Sequence, residues 1–293
     1  MENQSTPTDS DIVARLSNRE VIRNYCDFAG MHRAVIAKVL FRSLKEESPE
    51  CRRSIGLEIA ANFVGALEDA ALWFYVLKEW KCNDAVLVFD LLDRIWITEG
   101  AGSKFSTQGA LEQLDHWSRD DMRREFGIPT DGELRSQGWD DETAAMFEGG
   151  FVQALEKIRQ ALKLRTDDEG TIVASYNKIK HGVLAFATNE HSSIGVSIMI
   201  PSRRGQGDPV SRKRKVNVGW IPCDDGQLQI LVNVTIHISN AIREILCSVY
   251  YFHFDKTWTP PSFPEVELGG IPEDFADRSV STRQKEGNEK SLV

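Results

Sequence analysis

Ile59, Phe63, Ala66, Ala70, Trp73 and Leu77 recur at alternating spacings of four and three, which on a helix draws one unbroken apolar stripe. A helix of that length with such a stripe must bury it against neighbours, so the segment expected over 52–80 is the centre of a packed unit. Glu58, Asn62, Gly65 and Asp69 trace a second, mostly polar face, expected to look sideways or outward. Further helices are expected at 12–47, 83–97, 107–125, 139–165 and 170–187, with a second stripe from Phe151, Leu155, Ile158 and Leu162. Ile128–Pro129–Thr130–Asp131–Gly132 reads as a turn, and Gly138–Trp139–Asp140–Asp141 opens a helix by placing carboxylates near its free amides. Amphipathic helices joined by modest connections bury their stripes most simply as a helical bundle.

The pattern changes near residue 190. Ile194–Ile200, Val216–Ile221 and Leu228–Thr235 are β-branched and bounded by Gly, Pro and Asp, the signature of two or three strands in a small sheet or hairpin. A final helix is expected at about 236–254, marked by Ile238, Ile242, Ile245, Val249 and Phe252. The expected fold is therefore mainly α: a helical bundle followed by a small β-hairpin or sheet and a C-terminal helix. The corresponding divisions are a flexible N-terminus at 1–11, the bundle at 12–187, a small α/β extension at 188–256 and a flexible, Pro-rich then polar tail at 257–293.

A net charge of -9 gives no general attraction for nucleic acid or anionic membrane, so any polyanion site must be local. Cys26, Cys51, Cys82, Cys223 and Cys247 are odd in number, widely spaced and without a Cys-x-x-Cys pair, which favours a reducing, cytoplasmic setting over structural zinc or a disulfide framework. Residues 1–10 lack the basic and apolar regions of a secretion signal, and no run reaches the roughly 18 consecutive apolar residues expected of a membrane span. No phosphate loop, dinucleotide glycine pattern or paired metal motif is present, so no cofactor is expected.

The densest chemistry lies in Tyr176–Asn177–Lys178–Ile179–Lys180–His181–Gly182. On a helix Asn177 and His181 share a face one turn apart, with Lys178 in reach. Cleaving RNA without a metal needs a base for the 2′-hydroxyl, an acid for the leaving oxygen and positive charge beside the phosphate. His181 suits either proton role, Asn177 suits phosphate positioning, and Lys178 or Lys180 suits charge stabilisation. The same residues also suit a structural role, since cations near a helix C-terminus complement its dipole and Gly182 suits its end.

The helical part, with Asn177–Lys178–Ile179–Lys180–His181 near its end, resembles the HEPN superfamily of prokaryotic toxins, abortive-infection proteins and RNA-processing enzymes. In catalytic members an arginine, usually followed by a polar residue, precedes a histidine, and the pair is implicated in metal-independent RNA cleavage across a dimer interface. His181 matches the histidine and Asn177 the polar residue, whereas the arginine position holds Tyr176. The resemblance covers residues 12–187 and implies a non-catalytic or regulatory interaction module of a phage-defence or stress system. The alternative it implies is an endoribonuclease using His181 at a homodimer interface, and the partners expected are a second copy, RNA or a regulatory protein, with no membrane.

A second candidate is the basic segment Pro201–Lys215, in which Arg203, Arg204, Arg212, Lys213, Arg214 and Lys215 suit nucleic-acid phosphates, an acidic protein partner or a solvated hairpin connection. Glu58 and Asp69 lie too far apart along one helix to share a metal, and Glu68 and Asp69 are expected in solvent or in cross-helix pairs. Glu112 and His116 stand one turn apart without a third ligand, and His32, His191, His237 and His253 stand singly.

Overall fold

The computed structural model describes residues 16–44, 48–99, 107–166, 185–186, 195–201 and 216–257. Helix α1 (Asn18–Asp27) starts at Ser17, whose hydroxyl accepts from the Glu20 amide while the Glu20 carboxylate accepts from the Ser17 amide at 2.8 Å. The single helix expected over 12–47 is broken by a 3-10 turn, Ala29–Met31, before α2 (His32–Ser43). Gly30 permits that break: a Cβ there would sit 2.7 Å from the Tyr25 ring and 3.0 Å from its carbonyl oxygen.

Helix α3 (Pro49–Trp80) is capped by Ser48, begins on a proline and ends where Lys81 and Cys82 take positive φ angles of 47° and 54°. All six stripe residues are buried, and so are Ala60, Val64, Leu67, Ala71, Phe74 and Val76, so apolar contact runs round most of the helix. The face expected to look outward is largely covered. Asn62 is buried with its amide on the Glu58 carbonyl at 2.8 Å, and Gly65 lies beneath the Arg33 side chain of α2.

Helix α4 (Val88–Glu99) is tied to the start of α1 by buried Asn18, which donates to the Val86 carbonyl at 2.8 Å and accepts from the Val88 amide at 2.7 Å. The helix expected over 107–125 is two, α5 (Thr107–His116) and α6 (Arg119–Phe126), because Ser118 and Asp121 close a reciprocal cap between them. Thr130 does the same with Glu133 to start α7 (Asp131–Ser136). The Asp140 carboxylate accepts from the Thr143 amide at 2.7 Å at the head of α8 (Asp141–Thr166), whose Phe151, Leu155 and Ile158 are buried.

Among the described residues, strand is confined to three short segments, β1 (Ala185–Phe186), β2 (Gly195–Pro201) and β3 (Val216–Pro222), antiparallel in the order β1-β2-β3, with Pro201 opposite Val216 and Gly195 opposite Pro222. Ala185–Phe186 was expected as the end of a helix.

The expected order of a bundle, then a sheet, then an appended helix is overturned by α9 (Asp225–His253). Leu228–Thr235, expected as a strand, is its first third. Asp224 caps it by accepting from the Gln227 amide at 3.0 Å, and Leu228, Leu231, Val232, Thr235, Ile238, Ile242, Ile245 and Val249 form a buried stripe at helical spacing. Burial of that stripe outweighs the modest helix-propensity cost of β-branched residues, and the Thr235 hydroxyl is satisfied within the helix by the Leu231 carbonyl at 2.7 Å. Helix α9 packs on α1, α2, α3 and α8, so it belongs to the bundle's centre. By length and composition α3 and α9 would each suffice to cross a membrane, yet the most apolar windows of the two are 72% and 67% buried within the bundle.

Candidate functional site

Asn177, Lys178, Lys180 and His181 lie outside the described residues, as do Arg203, Arg204, Arg212, Lys213, Arg214 and Lys215. The basic segment joins β2 to β3, whose facing ends, Pro201 and Val216, are paired.

Within the described residues, the half-buried charged cluster sits where α1, α2 and α3 meet. Arg33 of α2 reaches across the face of α3 to Asp69, with Nε at 2.5 Å from one carboxylate oxygen and Nη2 at 3.3 Å from the other. Gly65 is the residue that admits it, since a Cβ there would strike the guanidinium. Burial works against the Arg33 charge, but the hydrogen bond and charge of Asp69 outweigh it and raise its pKa. Tyr25 of α1 packs edge-on to Trp73 of α3, with ring centroids 4.7 Å apart. Burial pushes the Tyr25 hydroxyl well above its ordinary range, and the Asp69 charge adds to the effect, so the phenol stays protonated at neutral pH. The cluster therefore joins helices: its carboxylate is matched by a guanidinium, and its phenol is too weak an acid to serve as a base. Of the two settings expected for Asp69, solvent or a cross-helix pair, the structure has the second, with a partner the sequence did not point to.

Beside this cluster, on the outer side of the same helices, Phe28, Val35 and Val39 are 71%, 51% and 59% exposed. Val35 and Val39 are one turn apart on α2, and exposed His32 lies between them and Phe28, its ring 6.0 Å from the Phe28 ring. The four residues make one continuous row, in contrast to the scattered apolar side chains of an ordinary surface.

The remaining candidates resolve into contacts between elements. His253 Nε2 meets Asp84 at 3.0 Å, and its ring stands edge-on to Trp80. His237 is engaged within the structure, Glu112 and His116 are exposed, and His191 lies outside the described residues. Among the described residues no group of three or more His, Cys, Asp or Glu side chains is placed to hold a metal. A small gap between α3, α6, α8 and α9 is lined by apolar and aromatic side chains, including Ala70, Phe74, Leu77, Phe126 and Ile242. Sequence reasoning missed the Arg33–Asp69 and His253–Asp84 pairs because their members lie far apart along the chain. The one local signal was the polar row containing Gly65 and Asp69, which marked where a long cation would cross.

No family model, curated protein or solved structure matches this chain.

Proposed function

We propose that the chain is a HEPN-like, non-catalytic or regulatory interaction module of a prokaryotic defence or stress system, acting in the cytoplasm through a protein partner. The observation that supports this reading is the uncovered row Phe28–His32–Val35–Val39, an apolar strip on a fold whose other large apolar side chains are mostly packed inside. The tyrosine at position 176, where catalytic members of that superfamily carry arginine, supports it further.

The alternative is a metal-independent endoribonuclease in which His181 from two subunits supplies acid and base, with Asn177, Lys178 and Lys180 around the phosphate. One experiment separates the two. End-labelled structured and single-stranded RNA is incubated in EDTA with the wild type and with His181→Ala, at several values from about pH 5.5 to 8.5. Under the module reading neither protein cleaves, RNA retention shows no steep salt dependence, and association with a protein partner is lost in Phe28→Ser/Val39→Ser while the helical signal is retained. Cleavage by the wild type that disappears in a folded His181→Ala variant overturns it in favour of the nuclease.

A further inference from the structure

The last described residue lies one short helix away from the exposed row. Asp255 accepts from Arg19 Nη2 at 2.9 Å and from the Thr257 amide at 3.0 Å, so the chain leaves the bundle beside the start of α1. Arg19, Arg23 and Asp27 follow one another at successive turns of α1, and Phe28 comes next. A helix of ten residues is about 15 Å long, and the six residues from Thr257 to Phe263 span up to ~20 Å, so the chain from Phe263 onward can reach Phe28.

The row is apolar in its middle and positive at its far end. Val39 is followed at the next turn by exposed Arg42, half-buried Lys38 lies alongside, and α2 carries no carboxylate. Arg33 is matched by Asp69, whereas Lys38 and Arg42 enter no ion pair among the described residues. The segment Phe263–Asp277 has the complementary composition. It holds five large apolar residues, from Phe263 to Phe275, interleaved with Glu265, Glu267, Glu273, Asp274 and Asp277, and no lysine or arginine. A second copy of α2 fits this face less well, because a symmetric contact would bring the cations of both copies against a surface without carboxylates.

We infer that Phe263–Asp277 of the same chain occupies this row and that a protein partner must displace it to dock; the inference rests on the reading of the row as the docking face. Apolar side chains of the segment cover Phe28, Val35 and Val39, and its carboxylates meet Lys38 and Arg42. The exposed ion pairs contribute little energy each and set the register, while the apolar contact supplies most of the attraction. The short connection to Thr257 presents the segment at an effective concentration on the order of millimolar, so contacts too weak to hold a free peptide suffice within one chain.

The test uses the full chain. A water-soluble carbodiimide joins an amine to a carboxylate in direct contact, and the monomer band is then digested and mapped. The expected product is a peptide in which Lys38 is amide-linked, with loss of one water, to a carboxylate of 263–277. Its yield falls at ~1 M NaCl, where exposed ion pairs are screened. In titrations, a synthetic peptide of residues 263–277 binds the chain carrying Glu265→Lys, Glu267→Lys, Glu273→Lys and Asp274→Lys about tenfold more tightly than the wild type, because the tethered copy no longer competes. Adding Val35→Ser/Val39→Ser abolishes that binding. Lys38 linked to no residue of 263–277, linkage confined to a dimer band, or no difference between the two chains in the titration overturns the inference. The docking reading then still stands if Phe28→Ser/Val39→Ser loses the partner. Linkage combined with partner association that Phe28→Ser/Val39→Ser leaves intact sinks the docking reading itself, and the displacement with it.

Discussion

Helices α3 and α9 are the two longest among the described residues, and they reach the same central position by different chemistry. Over α3 the Ala, Leu and aromatic residues have a helical period and, in Ala and Leu, strong helix formers, so local preference and burial agree. The first third of α9, Leu228–Thr235, carries Ile, Val and Thr, whose composition favours a strand while their spacing favours a helix. The outcome in α9 shows that a buried stripe against four neighbouring helices outweighs local preference, each β-branched residue costing only a few tenths of a kcal/mol in helix propensity. In α3 the polar minority is covered by a partner helix; in α9 the polar hydroxyl of Thr235 is absorbed by the helix's own backbone.

The strongest way to break this comparison is to attack the helical state of each segment. Asn233→Pro, in the part of α9 that reads as a strand, is expected to cost about 3 kcal/mol or more, because proline removes a helical hydrogen bond and clashes with the preceding turn. Phe74→Ala in α3, which strips ring contacts to Tyr75, Trp117 and Phe126, is expected to lose a similar ~3–5 kcal/mol in urea unfolding. Near-wild-type stability for Asn233→Pro would mean that this segment is not helical in solution.

A smaller effect tests how α3 tolerates its polar face. Asp69→Asn leaves the Arg33 guanidinium half-buried without a matching charge and is expected to cost about 1–3 kcal/mol, with recovery when Arg33→Met is combined with Asp69→Leu. Equal losses in the single and combined variants would show that the pair is not coupled. Next in size are the caps. Asp224→Ala is expected to destabilise α9 by about 1 kcal/mol, and Ser48→Ala to cost α3 less, since its hydroxyl sits 3.4 Å from the Cys51 amide against 3.0 Å for Asp224 and Gln227. The reverse order in thermal melts would contradict that ranking.

The smallest effect is confined to acid. Hydrogen bonds from Ser17, Ser118 and Thr130 hold the carboxyls of Glu20, Asp121 and Glu133 below their ordinary range. A depressed folded-state pKa means stability that is fully present above the unfolded value, roughly pH 4, and is lost as pH falls through the lower folded value. Glu133→Gln is therefore expected to narrow its gap from the wild type as a CD melt series descends below about pH 4, and a gap that widens there would refute the assignment.

Legibility in the sequence followed the range of the forces involved. The stripe through Ile59 and Leu77 and the Asp140 cap are set by residues within a few positions of one another, and they were readable, whereas the turn expected over Ile128–Gly132 instead opens α7, with Asp131 and Gly132 in the helix. Helix ends at Phe28 and Ser118 escaped because the apolar pattern continues past them while a close Gly30 contact and a reciprocal cap stop the backbone. The strand expected at Leu228–Thr235 failed because its neighbours in space lie on α1, α2 and α3, far back along the chain. The exposed row through Phe28 and Val39 was hidden for the same reason: only the packed bundle shows which apolar residues are left over. The His181 cluster stood out in the sequence through short-range chemistry alone, and its test is the RNA experiment.

The place of α9 also sets the order in which this chain can fold as it is made. Ile22 and Cys26 near one end and Ile242 and Cys247 near the other belong to one core, so the N-terminal helices emerge from the ribosome with part of their apolar surface waiting for residues more than two hundred positions later. Contacts of such long separation are slow to form, and the intermediate exposes sticky helix faces throughout synthesis. A chain halted before Asp225 would leave that apolar surface uncovered and would be a substrate for chaperones or proteases.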